Sequence, residues 1–514
     1  MHRLLSSGNS RAGILELIME DSQKMNKLPV ILVVLTYAIF SISTAFSDTL
    51  NIPAQHPDIH SALESIQPGD IIEIAPGTYY ESNLSIPAGI IIRGTGANPG
   101  EVVIDAEGSG RIMILEGLDS STTIQNITFR NGHASGDNSY DQSGGAIYCS
   151  NSQAAILDCN FIANEADSHG GAVRCNNSSP TIMNCTFSGN SAPSGGGGAI
   201  DCSYNSHPLL QDCTFVNNTA DWGAGLSCRG GSSPEVNGAF FDSNTASGTA
   251  SLGGGAFADY QSMPSFFKAT FCENSADYGG AIACLAESAT NLENCTIVGN
   301  EAHLEGGGIF LFEAYPSVAG SLITFNEGNA IATLGTALPE ISCTDIFGNS
   351  LGDWVGAFDS QETNQGNLSV DPQFCTRAPG EITRFHVSGD SPVAKENGFC
   401  ELMGSMPVGC DLTSDTGLVP DHPGVGQISA APNPFNPRTS IKFELGQSQR
   451  VQVSVFNLQG ALVRKLVDDE FASGPHSVQW NGDDEAGRAI GSGAYIVVIQ
   501  GEQDRQTLKM TMLK

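Results

Sequence analysis

The side chains of this 514-residue chain best suited to chemistry are a few carboxylates, cations, histidines and cysteines that recur at nearly fixed spacing. Arg174 and Asp201 each follow the last residue of a Gly-Gly-Ala-Val or Gly-Gly-Ala-Ile element. A carboxylate beside a guanidinium is half of a proton-transfer site, in which the base takes a proton and the cation neutralises an anionic substrate. It is also the composition of an ion pair between neighbouring chain segments, which is the simpler account. Asp167, Asp221 and Asp277 each lie three residues after a recurring asparagine. Such oxygens lined along one edge suit Ca²⁺, although solvated turn residues show the same pattern. Outward cations of the repeats are few (Arg130, Arg174, Arg229 and Lys268), and His169 and His303 read as isolated loop histidines. Paired aspartates occur only at Asp468-Asp469 and Asp483-Asp484, near the C-terminus.

These residues are positioned by a repeat in two halves. Phe-x-x-Asn occurs at Phe161…Asn164, Phe187…Asn190, Phe215…Asn218, Phe241…Asn244 and Phe271…Asn274, and continues with Ile297…Asn300 and Ile323…Asn326. The asparagines are 26, 28, 26, 30, 26 and 26 residues apart. Gly-Gly-Ala-Ile or a variant begins at Gly144, Gly170, Gly197, Gly254, Gly279 and Gly306. Such a period means stacked units that bury a core only against their neighbours. Apolar and polar residues alternate in Leu157-Asp158-Cys159-Asn160-Phe161, a strand period, and no segment here supports a helix of similar weight. Short strands and turns coiling once per repeat give an all-β fold, a parallel β-helix. Asn164, Asn190, Asn218, Asn244, Asn274, Asn300 and Asn326 should form a hydrogen-bonded ladder, with left-handed backbone tolerated at the asparagine.

The cysteines follow the repeat. Cys149, Cys175, Cys202, Cys228 and Cys284 form one column; Cys159, Cys185, Cys213 and Cys295 form another, where Ala239 and Ala269 also serve. Alternation points both inward, as small buried residues. Without a Cys-x-x-Cys pair, metal binding through thiols is disfavoured. Cys343, Cys375, Cys400 and Cys410 lie outside the columns and are disulfide candidates with three open connectivities.

The repeats resemble right-handed β-helix proteins of the pectate-lyase-like superfamily, and also the repeats of chlamydial polymorphic outer-membrane proteins. The resemblance covers roughly residues 50 to 410, with a short helix over His56 to Ile66 as N-terminal cap and Asp371 to Cys410 as terminal rungs and cap. Enzymes of that superfamily imply clustered carboxylates with a cation on an outer face. Here the Asn-Thr-Asp and Gly-His-Gly elements of polygalacturonases and the Arg-Pro-Trp element of pectin esterases are missing. After a linker over 411–427, residues 428–514 show about seven alternating strands, the pattern of a small antiparallel β-sandwich. Their Pro432-Asn433-Pro434-Phe435 opening, Val453 to Gly460, Trp480-Asn481-Gly482 and Lys509 to Lys514 resemble type IX secretion sorting domains. They are equally similar to Ig-like domains of flagellar hook-assembly scaffolds.

Lys24 and Lys27 precede an apolar run from Val30 to Ile42 and small residues at Ala45-Phe46-Ser47. Residues 1–47 thus read as an extension and signal peptide, with Met25 as the expected start, leaving no transmembrane helix in the mature chain. Residues 48–427 carry 9 Lys+Arg against 43 Asp+Glu, whereas 428–514 carry 9 of each. The acidic surface excludes nucleic acid as a natural partner. The expectation is a non-catalytic β-helix protein, secreted or on the outer surface of a Gram-negative-type bacterium. Its partners would be a surface glycan or protein ligand and, through the last domain, the secretion machinery. No cofactor is expected, with Ca²⁺ allowed. The alternative is a polysaccharide lyase or glycoside hydrolase on the same scaffold.

Overall fold

The structure is a computed structural model describing residues 47–375 and 385–394, most of 400–408, and most of 429–512. The expected export segment (apart from residue 47), the linker and Cys410 lie outside the described residues. The chain divides into two compact units, Met1–Val408 and Gly409–Lys514.

The first unit is a parallel β-solenoid of about twelve turns built from four stacks. Stack A has twelve strands, from Thr49–Ile52 to Glu340–Ser342; stack B has eleven, from Gly77–Tyr79 to Asp345–Phe347. Stack C has ten, from Leu84–Ser85 to Ile331–Leu334; stack D has seven, from His133–Ala134 to Glu301–Glu305. A typical turn runs Val173–Asn176 in C, Thr181–Met183 in A, Thr186–Ser188 in B and Ser191–Gly196 in D, then re-enters C at Ile200–Ser203. Pairing places like on like: Phe161, Phe187, Phe215, Phe241 and Phe271 are successive partners. Their fully buried rings stack with centroids 4.5–5.0 Å apart. That is the spacing of the strands themselves, so backbone pairing and aromatic packing are satisfied together.

Three corners of each turn share one construction: a left-handed residue, then a small inward side chain. Between B and D, positive φ falls on Ala163, Gly189, Asn217, Ser243, Glu273, Gly299 and Phe325. Left-handed backbone was expected at the ladder asparagines themselves, but it sits one residue earlier, which turns each asparagine into the core. Between A and B the inward residue is Cys159, Cys185, Cys213 or Cys295, all buried. Burial pushes the Cys295 thiol up to about 12, as it does Cys284 in the other column, so these groups stay protonated. Between C and A the inward residue is Ser152, Ser178, Ser206 or Ser232. Each hydroxyl from Ser178 onward accepts the backbone N–H of its predecessor at 3.0–3.2 Å.

Several expectations shift. The solenoid begins at Thr49, as the resemblance implied, but its capping helix is only Ile59–Leu63, with Asp58 accepting from the Ser61 N–H. The element read as Gly254-Gly255-Ala256-Phe257 slips by one residue: Ala256 pairs with Ile282, and Phe257 therefore faces outward. A one-residue change of register exchanges faces. Beyond Asn349, the described residues of 371–408 do not add stacked rungs. They double back along stack B, where the Gly404 N–H donates to Gly320 O and Ser405 bonds Thr270 and Thr296. Cys343 and Cys400 are bonded to each other, and Cys375 is disulfide-bonded as well. Cys272, unassigned by the repeat pattern, is buried against Val298 and Phe385 in this region.

Among the described residues the second unit has seven antiparallel strands. Ser429–Ala431, Thr439–Leu445 and Gly474–Trp480 form one sheet, and Gln449–Asn457, Leu462–Phe471, Gly493–Gln500 and Arg505–Met512 form the other. Phe435, Val453, Trp480, Val497 and Met510 share its core.

Phe215 lies mid-stack with ring neighbours on both sides, so Phe215→Ala should cost about 3–5 kcal/mol. Denaturant unfolding checks this; a stability equal to that of the parent would place the ring outside the core.

Candidate functional site

The outer face of stack C carries a column set by register: Tyr148, Arg174, Asp201, Ser227, Phe257, Ala283 and Phe310. Stack D and the loops leading from it lie over this face. At the later turns the contact is apolar, joining Phe257, Ala283 and Phe310 to Trp222, Leu252 and Tyr278. At the first turns Arg111 stacks on the rings of Tyr140 and Tyr148 and donates to the carbonyls of Ser143 and Gly144. Between them lies a charged cluster.

Arg174 and Asp201 form an ion pair across adjacent rungs, and Arg229 Nη2 approaches the other carboxylate oxygen at 3.5 Å. The pair was expected on the outside; instead Arg174 is 4% exposed and Asp201 0%. The side chains do point away from the inner core, but stack D seals them. Arg229 also lies over the Trp222 ring at 5.6 Å, and His169 packs edgewise on the same ring. Gly196 makes this approach possible: a Cβ there would sit 2.1 Å from Trp222 Nε1 and 2.7 Å from Ser227 Oγ. Burial pushes the Asp201 carboxyl up, but Arg174 and Arg229 outweigh it and hold the acid below its ordinary range. Burial pushes His169 down to about 4, so it is neutral at pH 7. His169 Nε2, Trp222 Nε1, Ser227 Oγ and Arg229 Nε are buried with no hydrogen-bond partner. The cluster holds proton-transfer groups without an opening for a polymer, so its chemistry is that of a pin between two layers.

The remaining candidates separate. Asp167, Asp221 and Asp277 do share one column of stack D, but on every second rung, about 10 Å apart from strand spacing. At that spacing the three carboxylates do not ligate one common ion. Asp277 accepts the Ser251 N–H and lies 3.3 Å from His303 Nδ1. His303 is thus not isolated, and neither is His169. Asp167 meets His133 Nε2 at 3.0 Å, a contact that the repeat pattern hides because His133 precedes the first ladder asparagine. Arg130 is bound to Asp105, and Lys268 lies over the exposed Phe267 ring at 5.3 Å. The serine column carries its own sequence signal, Ser-x-Pro at Ser178, Ser206, Ser232 and Ser262.

Residues 88–266 match the family model of the right handed beta helix region, and residues 433–505 match that of the FlgD Ig-like domain. The chain therefore joins a right-handed β-helix to a FlgD-type Ig-like domain. No curated protein matches it. Two solved structures show local likeness. PorZ, a bacterial surface component of the type-IX secretion system of Porphyromonas gingivalis, is 18% identical over 17% of this chain and 11% of its own, with a TM-score of 0.14. A mutant of the PL6 family alginate lyase AlyGC is 11% identical over 73% of this chain and 60% of its own, with a TM-score of 0.32. The chain spans less than two thirds of either protein's length. Among the described residues no helix is long and apolar enough to cross a membrane.

Asp201→Asn leaves Arg174 buried with its partner carboxylate gone and should cost about 3–5 kcal/mol. The same cluster makes stability fall in acid. His169, lowered from 6.5 to about 4, takes up a proton more readily unfolded than folded, so stability drops between those values. Asp201, also lowered, adds a loss as pH falls through its folded value. Thermal melts of the parent and His169→Gln across pH 4–7 should diverge towards acid; parallel curves would exclude the histidine as the source.

Proposed function

We propose that this chain is a non-catalytic, exported binding scaffold, and that it holds an extended, uncharged glycan along the corner between stacks C and A. The observation that carries this reading is the placement of Tyr204 and Tyr260. Both are large and solvent-facing, at 65% and 68% exposure, and both hold left-handed backbone, with φ of +56° and +50°. A bulky residue in that region costs about 1–2 kcal/mol that asparagine or glycine would largely spare. The two stand on alternate rungs, roughly 10 Å apart by strand spacing, with Gly230 on the rung between. The result is two aromatic platforms flanking a gap, a stride comparable with two sugar rings of an extended chain. Asn205 and Gln261, the next residues on the same corner, supply amides for hydroxyl groups, and Met263 adds an exposed apolar contact. The strongly acidic solenoid argues against a polyanionic ligand unless a divalent cation bridges.

The lyase or hydrolase alternative needs carboxylates and a cation converging in an open groove. The burial of Asp201 with Arg174 and Arg229 supports the scaffold reading over it. For delivery, the charge-balanced C-terminal domain and its sorting-type sequence features support an address function, with the signal pattern of residues 1–47 directing the first step of export to a Gram-negative-type cell surface.

Replacing both tyrosines by asparagine should abolish glycan capture while holding or raising the melting temperature. A glycan array with and without Ca²⁺ tests this; undiminished capture by the double variant would remove the assigned edge. Truncation before Gln427 should leave the solenoid folded and stop its surface delivery in the native host. Surface labelling of both forms reads this, and equal exposure would return residues 428–514 to an Ig-like interaction role.

A further inference from the structure

We infer that His133, Glu165 and Asp167 form a surface site for a divalent transition-metal ion of the Zn²⁺ type. The three side chains come from two adjacent strands of stack D, His133–Ala134 and Glu165–Ala166, with Asp167 immediately after the second. Register places Glu165 directly opposite His133. Glu165 and Asp167 are two residues apart on an extended chain, so both carboxylates project from one face. One ligand atom from each residue lies within 4.8 Å of the others, and His133 Nε2 is already 3.0 Å from Asp167 Oδ1.

Metal–ligand bonds of about 2.0–2.1 Å in tetrahedral geometry set donor atoms about 3.3 Å apart. The side chains of His133 and Asp167, about a third and two fifths exposed, have room for that adjustment. The backbone beneath them does not move freely: the Glu165 N–H donates to Gly132 O at 2.8 Å and the Asp167 N–H to Ala134 O at 3.0 Å. Two carboxylates held on one face repel each other, in a protein of formal net charge −33, and a dication relieves that repulsion. One imidazole with two carboxylates suits Zn²⁺ or Mn²⁺ better than Ca²⁺, which takes oxygen ligands only. Three protein ligands leave a position open to solvent or to a donor from a bound partner.

A second arrangement further along stack D, its Asp277 four rungs past Asp167, supplies an internal control. Asp277, Glu301 and His303 repeat the composition on stack D, but His303 reaches Asp277 through Nδ1 at 3.3 Å and Glu301 through Nε2 at 3.8 Å. Its imidazole bridges the two acids rather than converging with them on one point.

The test is isothermal titration of tag-free full-length protein with ZnCl₂ and, separately, CaCl₂ at pH 7. One tight equivalent of Zn²⁺ is expected, with affinity falling in acid because the ligands must lose protons. His133→Ala and Asp167→Asn should each weaken Zn²⁺ binding by about 100-fold or more, while Asp277→Asn leaves it unchanged. The two site variants change partly exposed side chains, and circular dichroism confirms that each is folded; either alone suffices. Absence of a Zn²⁺ isotherm, Zn²⁺ binding that survives either site variant, or Ca²⁺ bound as tightly as Zn²⁺ would each overturn the assignment.

Discussion

A column of carboxamides holds the solenoid in register. Asn190 Oδ1 accepts both the backbone N–H and the Nδ2–H of Asn164, and Asn190 Nδ2 donates to Asn218 Oδ1 and to Phe161 O. Each buried amide is thereby satisfied at two donor and two acceptor positions, with no water needed. A shift of one turn against the next by a single residue would leave every one of these groups unpaired in an apolar interior, which is far costlier than losing one hydrogen bond. The column is also closed at its ends. The Gly132 N–H donates to Asn164 Oδ1, and Asn349 donates its N–H and Nδ2–H to the Asp353 carboxylate, which needs no donor of its own. With register set at this corner, phenylalanines fall on phenylalanines and thiols on thiols.

Outside the inner core, stack D makes a second, shallower layer over stack C. It changes character along the axis, from arginine on tyrosine, through the Arg174–Asp201–Arg229 cluster, to the Phe257 and Phe310 contacts. The polar middle has a specificity that apolar packing lacks. The carboxylate of Asp201 can satisfy its two guanidinium partners only when one turn sits directly above the next and stack D is closed over them. Unlike the asparagine column, it retains orphan donors at Trp222 and Arg229, so this layer is the less economical and more easily loosened of the two.

Much of this was legible in the chain itself. Repeat length, strand alternation, the asparagine column and both cysteine columns follow from period and residue type. From Ile156 onward, the inward residue of stack A is five residues before that of stack B (Ile156 to Phe161, Leu210 to Phe215, Val318 to Ile323), and three more reach the asparagine. What resisted reading lies where that constancy fails. The arm through stack D and the corner between C and A vary in length, so the glycine element at Gly254 reads one residue out of register and Arg174 reads as an outward cation. The burial of Arg174 depends on Trp222 and Gly196, residues from other turns whose proximity no local pattern carries. His133 escaped because its turn has Gly132 where later turns have asparagine.

The constancy of the eight-residue tract and the elasticity of the rest have an evolutionary corollary. A duplicated or deleted block of about 26 residues, cut anywhere in the repeat, inserts or removes one whole turn and hands the neighbouring turns identical partners on both sides. Length can therefore change by unequal recombination without a refolding problem, in steps of one rung, and the separation between any two surface features becomes an integer. Tyr204 and Tyr260 are two such steps apart. A lineage could retune that separation to a differently sized ligand through a single genetic event, while point mutation alone would have no route to it.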